Sequence, residues 1–192
     1  MQRAQIKADQ KNFYKGYTLV EMAIVLVIVA ILIGGIFKGK EFIENAKLKT
    51  VVNDFEHITQ AYYSYIQRTS HAPGLERGTD GHIISNAIIS TDFFQDLVAE
   101  GFMLSKQGTA VVTNAYGGVW SVNSSTARGL ELCSGNFPAF IVRGIDAKLD
   151  DGEANTGRVV TRDSTNTTLI GDYAIAMASD AVFTVCQQLS SS

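Results

Sequence analysis

A single carboxylate, Glu21, stands inside an apolar run from Gly16 to Phe37, GYTLVEMAIVLVIVAILIGGIF. At the centre of a bilayer-spanning helix such a charge costs about 2.5 to 3.5 kcal/mol on insertion scales, and less towards an end. It therefore needs a partner or a route to water. The plainest reading is an anchor whose Glu21 snorkels to the interface; the sharper one is a carboxylate held for a positive group on another molecule.

The dense set of oxygen ligands is Asp146, Asp150, Asp151, Glu153 and Asn155. Asp151, Glu153 and Asn155 have the first, third and fifth places of a calcium loop. Thr156 then stands where that loop needs Gly, and Arg162 where it needs a bidentate Glu. A solvated helix end and turn explains them better, so no metal is expected, with those three residues as weak candidates. His57, His71 and His82 lack zinc-ligand spacing. Without GxSxG, a phosphate loop or GxGxxG, the sequence supports no hydrolase, nucleotide enzyme or dehydrogenase, and neither catalysis nor a cofactor is expected.

Two cysteines, Cys133 and Cys186, lie C-terminal to the apolar run. On an oxidising side of a membrane they can pair, which loop entropy values at about 4 kcal/mol; otherwise they are two buried thiols. Asn123 and Asn166 stand in N-x-S/T sequons, and aromatic and basic residues interleave at Phe55, Tyr62, Tyr63, Tyr65 and Arg68. Coincidence and core packing account for these more simply than glycosylation or base stacking.

The chain that must position these residues has 192 of them, 46% hydrophobic and 18% charged, enough for one substantial core beside a membrane segment. A net charge of -3 gives no basic excess for nucleic acid or anionic lipid. Residues 1–15 form a basic, hydrophilic leader with Arg3, Lys7, Lys11 and Lys15 against Asp9. A secretory signal places small residues after its apolar core, whereas here Gly16 precedes it. At about 1.5 Å per residue, the run from Tyr17 just crosses a hydrocarbon core of about 30 Å. The far flank, with Lys38, Lys40, Lys47 and Lys49 against Glu41 and Glu44, is positive too, so the positive-inside rule favours a cytoplasmic leader by a small margin.

The stretch K-G-Y-T-L-V-E followed by an unbroken apolar helix resembles the class III leader of type IV pilins and pseudopilins, in which Gly precedes the cut and Glu is the fifth residue after it. The resemblance implies cleavage between Gly16 and Tyr17 by a prepilin peptidase, N-methylation of the new Tyr17 amine, and Glu21 as the assembly carboxylate. Gly16 permits close approach of a peptidase to its backbone. Glu21 lies about one turn beyond Tyr17, so stacking with an axial offset brings its carboxylate to a neighbour's amine and neutralises both in an apolar fibre core. Tyr17 stands where many members have Phe, and no Pro occurs in the run. Gly34 and Gly35, each costing about 1 kcal/mol relative to Ala, either loosen the helix or let neighbours pack closely. The segment IDAKLDDGEANTG more weakly resembles the C-terminal half of some prepilin-type proteins.

Beyond the span, Phe42, Ala46, Leu48, Val51, Val52, Phe55, Ile58, Tyr62, Tyr65 and Ile66 recur at threes and fours, predicting one helix to about Arg68, stopped by His71 to Gly74. Its other face turns Lys47, Lys49, Asp54 and Glu56 to solvent. Irregular backbone is expected across 75–108, apart from a helix at Asp92–Glu100 capped by Ser90 or Thr91 and closed by Gly101. Strands are expected at 109–113, 119–122 and 130–133, a helix from Asn136–Pro138 to Asp150, and closing strands at 158–162, 168–177 and 181–186.

The expected fold is thus α+β and pilin-like: a long N-terminal helix, half membrane and half amphipathic, packed on a small antiparallel sheet with short helical insertions. Its parts are a leader (1–16), an apolar helix (17–37), its amphipathic continuation (38–70) and a globular region (71–192). The expected function is a structural subunit of a type IV pilus-like filament; the runner-up is a minor tip or DNA-uptake subunit that binds through residues 75–123. The expected partners are other pilins, the prepilin peptidase and methyltransferase, an inner-membrane assembly platform and the membrane itself, with nucleic acid not expected. The precursor should sit in the bacterial inner membrane with its C-terminal region outside the cytoplasm.

Overall fold

A computed structural model describes residues 16–77, 83–104, 113–125, 127–174 and 181–190. They fall into two compact units, one ending at Ile43 and one beginning at Glu44. Helix α1, Leu19–Thr69, is unbroken because no proline occurs before Pro73. It starts at Thr18, whose Oγ1 accepts the Glu21 N–H at 3.2 Å. It stops where Ser70 turns left-handed (φ 63) and returns its N–H to the Ile66 carbonyl.

Within the second unit, α1 buries Val51, Val52, Phe55, Ile58, Tyr62 and Tyr65, the expected stripe. The stripe begins later than its periodicity implies: Phe42 and Ala46 are exposed, and Leu48 is half-buried. Lys47 is not free in solvent, because its ammonium lies 5.2 Å from the centre of the Tyr116 ring.

Residues 75–77 and 83–88 are more regular than expected. Strands β1, Leu75–Arg77, and β2, Ile83–Ile88, form a small antiparallel pair. Gly74 joins it to helix α2, Ser90–Ala99: a Cβ there would meet the Phe93 backbone at 2.7 Å, and its φ of +78 suits glycine. Helix α2 begins two residues earlier than expected, and neither Ser90 nor Thr91 caps it. Ser90 is its first residue, and its hydroxyl accepts the Val122 N–H at 3.0 Å instead. Its end is as expected: Gly101 (φ +78) and Phe102 return their N–H groups to Val98 and Leu97 in a Schellman closure.

The main sheet contains β3, Trp120–Ser125; β4, Gly129–Pro138; β5, Val159–Arg162; and β6, Val182–Ser190. All neighbours are antiparallel and the order is β3-β4-β6-β5, so the last strand is an inner one. Helix α3, Ala139–Leu149, leaves the end of β4 directly. Phe137, expected to open that helix, instead pairs with Phe183 in the sheet. Of the strand expected at 109–113, residues 109–112 lie outside the described residues, and Thr113 makes a single bridge to Val119. The strand expected at 168–177 is replaced, over its described residues, by one bridge between Leu169 and Arg162.

The sheet and α1 share one core. Phe55 meets Trp120 edge to face at 4.6 Å, and Tyr62 stacks on Phe93 at 6.0 Å. The Tyr63 hydroxyl donates to the Leu189 carbonyl at 2.6 Å, tying the helix to β6.

Candidate functional site

The first unit contains Gly16, Tyr17 and Glu21. Gly16 is exposed, and among the described residues nothing lies within 4 Å of where its Cβ would stand. Tyr17 is 74% exposed, and the apolar side chains from Leu19 to Ile36 are exposed as well. Among the described residues, α1 is the one helix long and apolar enough to cross a membrane. A Cβ at Gly34 or Gly35 would meet nothing within 4 Å among the described residues, and the helix runs on through them.

Glu21 stands in the first turn of α1, where its backbone N–H is held by the Thr18 hydroxyl. Thr18 is the N-cap and Glu21 the third helical residue, the T-x-x-E spacing of a capping box. A carboxylate in the first turn also faces the positive end of the helix dipole. The box could have been read from Thr18, Leu19, Val20 and Glu21.

In the second unit Cys133 and Cys186 are directly opposite on β4 and β6 and form a disulfide, with Cα atoms 4.1 Å apart. Both are fully buried with Val160, on the sheet face away from the main core. Beside them lies a group that sequence reasoning missed. Glu131 is wholly buried and gripped by Arg128 and Arg162, each at 2.6 Å. Only strand alternation placing it on the face of Cys133 could have pointed there.

The calcium-loop spacing does not gather its residues into a ligand set. Asp151 accepts the Glu153 N–H and the Thr156 hydroxyl, which hold its carboxyl below the usual range, while Glu153 and Asn155 are exposed. Among the described residues the carboxylates that converge are those of Asp146, Asp150 and Asp151. Their oxygens serve the fold: Asp150 takes the Arg158 and Val159 N–H groups, and Asp146 takes those of Gly152 and the Tyr173 hydroxyl. Burial pushes the carboxyl of Asp146 up and the Tyr173 phenol strongly up. His57 is exposed, His71 packs against Tyr65, and His82 lies outside the described residues.

The site with a shape suited to molecular recognition is therefore the N-terminal one: an open Gly–Tyr bond, a capped helix start with one carboxylate, and an exposed apolar surface. Residues 11–37 match the family model described as the prokaryotic N-terminal methylation motif. No curated protein matches the chain closely enough to be compared with it. The motif and the single long apolar helix fit an inner-membrane-anchored precursor, and the motif implies processing by a prepilin peptidase and assembly into pilin polymers. The chain carries the prepilin-type N-terminal methylation motif, the hallmark of type IV pilins and pseudopilins.

Proposed function

We propose that this chain is the precursor of a non-enzymatic structural subunit of a type IV pilus-like filament. It is cut between Gly16 and Tyr17, methylated on the Tyr17 amine, and polymerised through α1 with Glu21 facing a neighbour's amine. The observation that carries this reading is the unsatisfied apolar surface of α1 directly after an open Gly16: a surface of that length is stable only in lipid or against other helices. The disulfide supports a C-terminal region outside the cytoplasm, since such bonds persist where conditions are oxidising.

Gly16→Ala should leave the leader attached and abolish filaments; processed filaments from that variant would refute the cleavage. Glu21→Gln removes the charge while keeping a residue type suited to the third position of a helix that Thr18 caps. It should be processed normally yet enter filaments about tenfold less, as loss of about 1.4 kcal/mol of pairing requires. Normal incorporation would refute the assembly role of Glu21.

A further inference from the structure

The Cys133–Cys186 bond is wholly buried, although it lies on the face of the sheet that the main core does not cover. Other groups must enclose it there. Cys186 of β6 stands beside Val160 of β5, and Cys133 of β4 stands beside Ser121 of β3, so the crosslink joins the two inner strands with an outer strand on either side. On the β3 side the Asn123 amide nitrogen lies 3.7 Å from the Cys133 sulfur. On the β5 side the Asn166 amide oxygen lies 3.3 Å from the Cys186 sulfur and accepts from the Arg162 guanidinium at 3.4 Å. The asparagines of the two sequons thus serve as covers for the disulfide.

The two covers are held differently. Asn123 belongs to β3, which pairs with β4 residue for residue from Trp120 to Ser125. Asn166, left-handed at φ 59, belongs to the loop 163–168, which is closed on itself. Asp163 donates its N–H to the Thr168 carbonyl and accepts the Asn166 N–H at its own carbonyl. Its carboxylate accepts the Thr167 and Thr168 N–H groups and the Thr165 hydroxyl. Ser164, Thr165, Thr167 and Thr168 are exposed. Among the described residues, the polar contacts that leave this loop are those of the Asn166 amide. Lifting the loop therefore breaks no rung between β4, β6 and β5, and local openings of this kind cost far less than global unfolding.

We propose that the loop 163–168 is a latch over a thiol-exchange site, and that a dithiol reductant opens the crosslink in the folded protein by attacking Cys186. Exchange needs a thiolate to approach one sulfur from the side away from the sulfur that leaves. For Cys186 that side faces β5 and the loop; for Cys133 it faces β3, a paired strand. The incoming thiolate bonds to Cys186 Sγ as the bond to Cys133 breaks, and Cys133 departs as a thiolate that takes a proton from water. The second thiol of the reductant then displaces Cys186, leaving two protein thiols and an oxidised reductant, which has supplied both electrons. Strand β6 keeps its hydrogen bonds to β4 and β5 throughout, so the product is a folded dithiol. The crosslink is then a removable clip on the second unit, whatever the chain assembles into.

The test uses the full chain, folded and oxidised in detergent micelles, with dithiothreitol as the reductant and alkylation to count the thiols released. Asn166→Gly keeps the left-handed turn, which glycine adopts freely, and removes the cover. Asp163→Ala removes the carboxylate that closes the loop. Each should be reduced about tenfold faster than the native chain, with thermal melting of the oxidised protein unchanged. Asn123→Ala, on the strand side, should leave the rate as it is. With glutathione, a monothiol, quenching by alkylation and peptide mapping should find the adduct on Cys186. Native rates in both loop variants, or acceleration only in step with a fall in melting temperature, would show that reduction waits for unfolding and overturn the proposal. An adduct on Cys133, or faster reduction of the Asn123 variant alone, would place the entry at β3 and overturn it as well.

Discussion

Glu131 sits on a strand with no exposure, between two arginines that keep 21% and 12% of their side-chain surface. Arg128 also reaches the carbonyls of Gly157 and Arg158, so the trio clasps the β3–β4 turn to the start of β5. Glu131→Gln leaves two partly buried guanidinium groups without their counter-charge. Full burial would cost about 3 to 5 kcal/mol; with the arginines still reaching water, about 2 kcal/mol is expected. Urea unfolding at unchanged m-value should read this loss. Adding Arg128→Met and Arg162→Met should recover part of it, and a further fall would mean that the trio is not a closed charge unit. None of this was legible in GLELCSG, because a lone Glu in a strand ordinarily faces water and Arg162 is 31 residues away. The cysteine pair was legible, since two thiols beyond an export segment leave one pairing. Glu21 was half-legible: its charge stood out, but its capping by Thr18 is a three-residue relation that the apolar run obscured.

Among the elements, α1, α2 and α3 were readable because their apolar residues recur at helical spacing and Pro73, Gly101 and Asp150 close them. Strand β4 was readable only in part, as its last residues run into the Pro138 that looked like a helix start. The segment after β5 misled, because apolar alternation from Thr168 onward looks like a strand of its own. Instead it folds back over the outer edge of β5. Ile170 donates to Thr161, Asp163 donates to Thr168, and Tyr173 turns inward to Asp146 and the Thr161 hydroxyl. This covers an edge that would otherwise invite another chain. Asp163 closes the loop: its carboxylate accepts the Thr167 and Thr168 N–H groups and the Thr165 hydroxyl. The Thr167 N–H above all lowers its pKa to about 2. A depressed carboxylate stabilises the loop fully above its ordinary pKa and loses this as pH falls through the folded value. The exchange protection of the Thr167 and Thr168 amides should therefore decline from about pH 4 towards pH 2. Asp163→Asn should remove that pH dependence, and a native titration of Asp163 near the ordinary value would refute the assignment.

At the scale of the whole molecule, the buried core runs from Val51 to Leu189, entirely inside the unit that begins at Glu44. A unit with its own core folds without its neighbour. The fragment 44–192, exported to an oxidising compartment, should therefore be soluble, form the Cys133–Cys186 bond and unfold in one cooperative transition. The bond joins positions 53 apart in sequence, and its reduction relaxes the unfolded chain. By loop entropy this should cost about 4 kcal/mol, which for a domain of this size lowers the melting temperature by about 10 °C. The inner position of β6 sharpens that expectation, because a strand that follows both of its neighbours in sequence must insert between β4 and β5, and the bond keeps it there. Without residues 1–43 the fragment has no exposed apolar helix to stack. It should stay monomeric by sedimentation, since the exposed apolar surface that drives association lies before residue 44. Fibres formed by the fragment would move the driving force for assembly from the apolar stretch of α1 to the globular surface. A fragment that fails to fold would mean that residues before Glu44 are part of the folding unit.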